Sequence, residues 1–311
     1  MTVTEALLLG IIQGLFMFIP VSSSSHLVLT QHWLAASGSP VPGSDTPEMI
    51  FFNLVVHLGT MVSIVVVMRK PLGRLLSGIA RELPLLARRR TFRHLIHLKL
   101  LALAVITTGI TGVLGLVIRE FGTGVFASPA AVAVLLLVTG VILWWSDSVT
   151  NTWRGAAQMT VVVALVIGLA QAAALFPGLS RSGLTIAAAL ALGMHRRIAA
   201  QYSFFVAIPT IVAATGVQSL SLLDHDGGLR IGWDAYAAAF VVSAVVGAGA
   251  LWLVLTLLYR GYFRVFAVYV VLLAGATLVF QPDFSDPPAV EETPGQNQQT
   301  ESAPAPHRVD T

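Results

Sequence analysis

Two short clusters sit inside long apolar stretches of this chain: Ser22-Ser23-Ser24-Ser25-His26 and Pro177-Gly178-Leu179-Ser180-Arg181-Ser182. Serine, glycine, proline, histidine and arginine are the wrong residues for facing lipid. A guanidinium at the centre of a bilayer costs roughly 2.5–3.5 kcal/mol on insertion scales unless it is paired or wetted. Polar groups at that depth mark a site, and these suit phosphate. In the second cluster Pro177 ends a helix and Gly178 permits a tight turn. Ser180, Arg181 and Ser182 then precede the apolar run Leu184–Leu192, with Thr185 one turn in. A helix N-terminus offers free N–H groups and the positive end of its dipole. A guanidinium fork and two or three hydroxyls complete an anion cradle. N-capping alone is the competing account of the serines.

In the first cluster Pro20 precedes four serines and His26. An imidazole can act on phosphorus as general base, general acid or nucleophile, and a neighbouring serine can be the nucleophile it activates. A structural hydrogen bond is the competing account, but the place of the histidine directly after a serine run, opposite the anion cradle, favours chemistry. His57 lies in an apolar stretch without polar neighbours and reads as structural. Gln13 and Gln171 stand at similar places before the two clusters, suited to bonding either unwound backbone or substrate.

The elements that must position these groups follow from composition. Only 11% of residues are charged and 56% are apolar, against roughly 25% and 45–50% in a soluble domain, and the mean hydropathy is +0.81. The chain reads as an all-α polytopic membrane protein. Without cysteine it has no disulfide framework or thiol chemistry. The net charge of +3 is no nucleic-acid signature, because nine of the eighteen Lys and Arg lie between Arg69 and Lys99, with Glu82 the only acid there. A basic loop beside membrane spans is cytoplasmic by the positive-inside rule. Glu5, and an apolar run that continues into polar residues, argue against a cleavable signal peptide.

Six stretches approach the roughly 20 residues needed to cross about 30 Å: Met49–Met68, Leu100–Ile118, Ala130–Trp145, Phe204–Leu223, Ala235–Tyr259 and Val265–Phe280. Ala6–Leu34 and Met159–Met194 break in their middles and read as re-entrant hairpins, tolerated where the turn is buried or wet. Gly10-Ile11-Ile12-Gln13 parallels Gly168-Leu169-Ala170-Gln171, and Phe18-Ile19-Pro20 parallels Leu175-Phe176-Pro177. With one hairpin and three spans per half, an inverted-topology repeat is expected, its site at the midplane. One membrane domain therefore covers 1–281, with repeats at 1–146 and 159–281. A disordered tail follows at 282–311, and both termini are expected outside the cytoplasm.

On these residues the chain resembles the undecaprenyl-diphosphate phosphatase family, the bacitracin-resistance type of integral membrane phosphatase. The motif Pro-Gly-x-Ser-Arg-Ser-x-x-Thr is complete as Pro177, Gly178, Ser180, Arg181, Ser182 and Thr185, and Gln13 to His26 follows the first family pattern. The resemblance covers about residues 1–280. It implies six crossing helices with two re-entrant pairs. It implies removal of the terminal phosphate of undecaprenyl diphosphate on the outer face of the bacterial cell membrane, which recycles the lipid carrier for cell-wall synthesis and confers bacitracin resistance. By position, Ser23 and His26 would act at phosphorus, and Arg181 with Ser180 and Ser182 would hold the diphosphate. Gln13, Ser22, Gly178 and Thr185 would complete the substrate-binding set. Mg²⁺ or Ca²⁺ is the cation the resemblance implies.

One departure bears on that cation. The family's Glu/Gln-x-x-x-Glu element reads Gln13 and Met17 here, without a carboxylate, and Ser25 replaces a glycine. Hard cations want carboxylate oxygens, whereas Met offers a weak, soft sulfur. An impaired protein that binds or transports a polyprenyl phosphate without hydrolysing it is the alternative reading.

Overall fold

The computed structural model describes residues 1–21, 23–43, 46–89, 95–121, 129–220 and 231–280. Among these, the regular elements are eleven α-helices and one 3₁₀ turn at Ala156–Gln158. The first broken segment is α1 (Val3–Phe16) and α2 (Ser23–Ala36). Then come α3 (Pro47–Val67), α4 (Arg69–Arg89), α5 (Ile96–Phe121) and α6 (Pro129–Ser148). The second broken segment is α7 (Val161–Ala173) and α8 (Arg181–Ala191), followed by α9 (Arg196–Leu220), α10 (Trp233–Arg260) and α11 (Arg264–Phe280).

Five helices, α3, α5, α6, α9 and α10, contain stretches long and apolar enough to cross a membrane. The expected sixth, α11, has 17 residues. At about 1.5 Å per residue it reaches roughly 25 Å, and it ranks with α1 and α7 as a shorter apolar helix. Val105, Val141, Val245, Trp252 and Leu272 are all more than half exposed. Such a surface is a liability in water and is what a bilayer solvates. The chain is a multi-pass membrane protein.

Two stretches differ from expectation. The basic segment after Met68, expected as a loop, begins as the 21-residue helix α4. Its apolar Leu72, Leu75, Ile79 and Leu83 recur at helical spacing among arginines, the pattern of a helix lying along an interface. Glu82 docks it on α5: its carboxylate accepts from the Leu98 N–H at 2.9 Å and from His97 Nδ1 at 2.6 Å. Arg90 and Arg93 lie outside the described residues. The fourth span starts at Arg196, well before the expected Phe204, because polar groups hold its first turn. Arg196 donates to the carbonyls of Ser146, Asp147 and Val149 at 3.0–3.2 Å and pairs with Asp147 Oδ1 at 3.3 Å. A cation at a helix C-terminus meets the negative end of the dipole. Asp147 Oδ2 also accepts the Arg264 N–H at 2.8 Å, so one carboxylate gathers the end of α6 and the starts of α9 and α11.

The core is built by helices that cross between the two halves of the sequence. α1 and α3 pack along α10, α7 and α9 along α5, and α11 along α6. Close approach needs small residues: a Cβ on Gly59 of α3 would lie 2.6 Å from the Phe240 carbonyl oxygen. Ser63 and Ser243 stitch the same seam, donating to the Ala244 carbonyl at 2.7 Å and the Val56 carbonyl at 3.2 Å. Most of the expected acidic loop before α10 and the tail 282–311 lie outside the described residues.

Candidate active site

The second hairpin turns through Gly178, whose φ of +95° lies in the left-handed region that L side chains rarely adopt. A Cβ there would stand 2.5 Å from the Val132 carbonyl oxygen, so glycine is required by backbone conformation and by space. The turn hangs from α6. Thr139 Oγ1 donates to the Gly178 carbonyl at 2.9 Å and accepts the Ser180 N–H at 3.2 Å. Ser180 then N-caps α8, its Oγ accepting the Gly183 N–H at 3.2 Å. Its role as a cap, the plainer reading from sequence, does not exclude it from the site, because it also faces the central cavity.

That cavity has a volume of about 590 Å³ and lies where the two hairpin turns meet. Gln13, Met17 and Ser23 reach it from the first hairpin, Ser180, Arg181 and Ser182 from the second. Ser182 Oγ ties the turns together by donating to the Phe18 carbonyl at 3.4 Å. Gln171 lines the wall and donates to Thr111 Oγ1 at 3.1 Å and Thr210 Oγ1 at 2.9 Å. Arg181 and His57 are the two ionisable side chains among the lining residues, and no carboxylate is among them. The Arg181 guanidinium has no acid within ion-pair reach among the described residues. Its Nη2 lies 3.9 Å from the Met17 sulfur, to which Gln13 Nε2 donates at 3.5 Å. An unbalanced guanidinium, hydroxyls and amides on one cavity wall form a receptor for an anion.

Three residues singled out from sequence are placed elsewhere. His26 is buried but is not among the cavity-lining residues. Its ring stacks on Phe16 with centroids 3.9 Å apart, and its Nε2 lies 2.8 Å from the Tyr269 hydroxyl on α11. Thr185 bonds inward, donating to the Arg181 carbonyl at 2.8 Å and meeting Ser203 Oγ at 2.6 Å, so it fixes α8 against α9. Gly178 shapes the turn without lining the cavity. Ser22 lies outside the described residues. His57, which reads as structural from its apolar neighbours, lines the cavity with Asn53 one turn before it. A single histidine in an apolar run carries no local signal, and only the i, i+4 pairing with Asn53 on one helix face hinted at it.

The donor set does not fit a hard divalent cation. Among the described residues no group of three His, Asp, Glu or Cys side chains converges. The cavity offers amide and hydroxyl oxygens beside an unneutralised guanidinium, where Mg²⁺ or Ca²⁺ would expect carboxylates.

A family model for bacitracin resistance protein BacA matches residues 6–276. The chain is 46% identical over 270 residues to an undecaprenyl-diphosphatase of Alkalilimnicola ehrlichii, covering 86% of this chain and 93% of that protein. It is 44% identical over 275 residues to an undecaprenyl-diphosphatase of Halorhodospira halophila, covering 88% and 96%. To that of Desulfosudis oleivorans it is 36% identical over 277 residues, covering 88% and 97%.

Proposed function

Since the chain belongs to the bacitracin resistance protein BacA family, we propose that it hydrolyses undecaprenyl diphosphate to undecaprenyl phosphate and inorganic phosphate. It does so on the extracytoplasmic side of the bacterial cell membrane, returning the carrier lipid to cell-wall synthesis. The observation that carries this reading is the cavity itself: one guanidinium without an acid, set among hydroxyls and amides at the meeting of two hairpin turns. Arg181 holds the diphosphate with a planar fork that matches phosphate oxygens, helped by Ser180, Ser182 and Gln13. Ser23, the first residue of α2, contacts the terminal phosphoryl group. The positive end of the α8 dipole favours the charge that builds there. His26 steadies this wall through Phe16 and Tyr269.

The two halves form an inverted repeat. The reciprocal packing supports this: α1 on α10 matches α7 on α5, and α3 on α10 matches α9 on α5. The paired glycines support it too, since a Cβ on Gly10 would lie 2.8 Å from the Ala239 carbonyl oxygen and one on Gly168 would lie 3.0 Å from that of Thr107. The arginines of α4 set its face in the cytoplasm.

Phosphate release from undecaprenyl diphosphate by purified protein tests the function. Arg181→Ala is expected to lower kcat about 10²–10³-fold, the usual loss for one oxyanion-stabilising donor. Equal release by parent and variant would remove the reading, and retained lipid binding without release would make the chain a carrier.

A further inference from the structure

We propose that His57 is the general base of this site, activating a water for attack on the terminal phosphorus in place of any carboxylate. The inference rests on the phosphatase reading above and adds to it a residue that neither the motifs nor the hairpins supply. Nδ1 of His57 lies 2.7 Å from the Asn53 carbonyl oxygen. A carbonyl only accepts, so Nδ1 carries the proton and Nε2 of the neutral ring is a bare acceptor. Among the described residues Nε2 has no hydrogen-bond partner, and the ring lines the cavity opened by the two hairpins.

A second acceptor belongs to the residue one turn earlier on the same helix. Asn53 Oδ1 is buried and lacks a partner among the described residues, and Asn53 also lines the cavity. Residues four apart on a helix share a face. A cavity water can donate one O–H to His57 Nε2 and keep a lone pair for phosphorus. The helix beneath them is held rigidly, since the Gly59, Ser63 and Ser243 seam with α10 lies within two turns of His57.

The balance is simple. The water oxygen bonds to the terminal phosphorus as the bridging P–O bond breaks, and that electron pair leaves with the lipid phosphate. The water proton passes to Nε2, and the imidazolium later releases it to solvent. The groups that face His57 leave it as the titrating one. Arg181, from α8, stays charged. α1 and its C-cap bring Gln13 and Met17, and α9 brings Thr210 and Gln218, none of which titrates. On α3 itself Glu48 stands at the far first turn, and on α10 Tyr236 packs against Phe51 and Phe52 at that same end.

The test is kcat and KM for phosphate release from undecaprenyl diphosphate, in EDTA, across about pH 5 to 9. His57→Gln should lower kcat about 10²–10⁴-fold, the range for a lost general base. KM should stay within about three-fold, and the fall in rate at low pH should disappear. Release by the parent with an unaltered His57→Gln rate, or with an unchanged acid limb, overturns this inference alone. Release by the parent only after Mg²⁺ or Ca²⁺ is restored overturns this inference alone, whereas no release above the Arg181→Ala blank with or without those cations overturns the phosphatase reading and this inference with it. Should His57→Gln fail to fold, carbethoxylation of the parent by diethyl pyrocarbonate decides. Inactivation must track modification of His57 and slow in the presence of inorganic pyrophosphate, and inactivation with His57 unmodified overturns the inference.

Discussion

The Arg181 guanidinium lies 3.9 Å from the Met17 sulfur, a cation set against a group that cannot balance its charge. The remaining partner for such a charge in this cavity is a ligand, and a diphosphate supplies several negative oxygens at once. The same contact makes position 17 the place where metal dependence can be written into the protein. In the parent, EDTA is expected to change phosphate release by less than about two-fold, because the cavity offers no carboxylate to a hard cation. Met17→Glu places a carboxylate between Gln13 and Arg181. That variant should be strongly inhibited by EDTA and restored by Mg²⁺ or Ca²⁺. Strong EDTA inhibition of the parent, reversed by Mg²⁺, would contradict this account.

Gly178 carries the second turn in a left-handed conformation with no room for a Cβ. Gly178→Ala should destabilise the protein by about 1–3 kcal/mol from backbone strain alone, and more from the clash with the Val132 carbonyl. Thermal melting in detergent reads the first effect. The second should appear as a loss of kcat, because Ser180 and Arg181 follow the turn directly.

Asp147 is nearly buried and serves Arg196 and the first N–H of α11 together. Removing one partner of a buried pair leaves the other uncompensated, at a cost of about 3–5 kcal/mol. Asp147→Ala should therefore lower the melting temperature strongly, and a cycle with Arg196→Ala should show clear non-additivity. Its KM for the lipid should change little, since the cluster lies away from the cavity.

Acid should loosen α4 through Glu82. Burial acts to raise its pKa, but the Leu98 N–H and the His97 ring outweigh it and hold the carboxyl below its ordinary 4.5. The stability it contributes is present above that ordinary value and is lost as pH falls through the depressed one. Proteolysis between α4 and α5 should accelerate below about pH 4.5 in the parent, and Glu82→Gln should show little further response to acid there.

Much of this architecture was legible because lipid tolerates so few residue types. Pro20 and Pro177 read as turns inside apolar segments, and the structure turns at both, with serines at the starts of the helices that follow. Arg181 announced itself by costing too much to face hydrocarbon. The rest depended on partners far away in sequence. His26 follows a serine run and looked like a site residue, yet its Nε2 meets Tyr269, 243 residues later. Thr185 belongs to the motif, but Ser203 claims its hydroxyl. His57 looked inert because apolar neighbours on a helix say nothing about which face opens on a cavity. Charge density masks the helical spacing of leucines in α4, and α9 begins early because the carbonyls that hold Arg196 come from the end of α6 and the residue after it.

The bond from Thr139 to the Gly178 carbonyl suspends the second hairpin from α6, and Asp147 anchors that helix at its other end. The turn that carries Arg181 is thus held about two helical turns along α6 from the Asp147 cluster, roughly 12 Å at 1.5 Å per residue. A scaffold built this way works as a ruler, because α6 would have to bend before one cluster could move against the other. A diphosphate borne on a lipid is already held in the bilayer by its tail, so the membrane performs a first round of substrate selection before any side chain touches a phosphate.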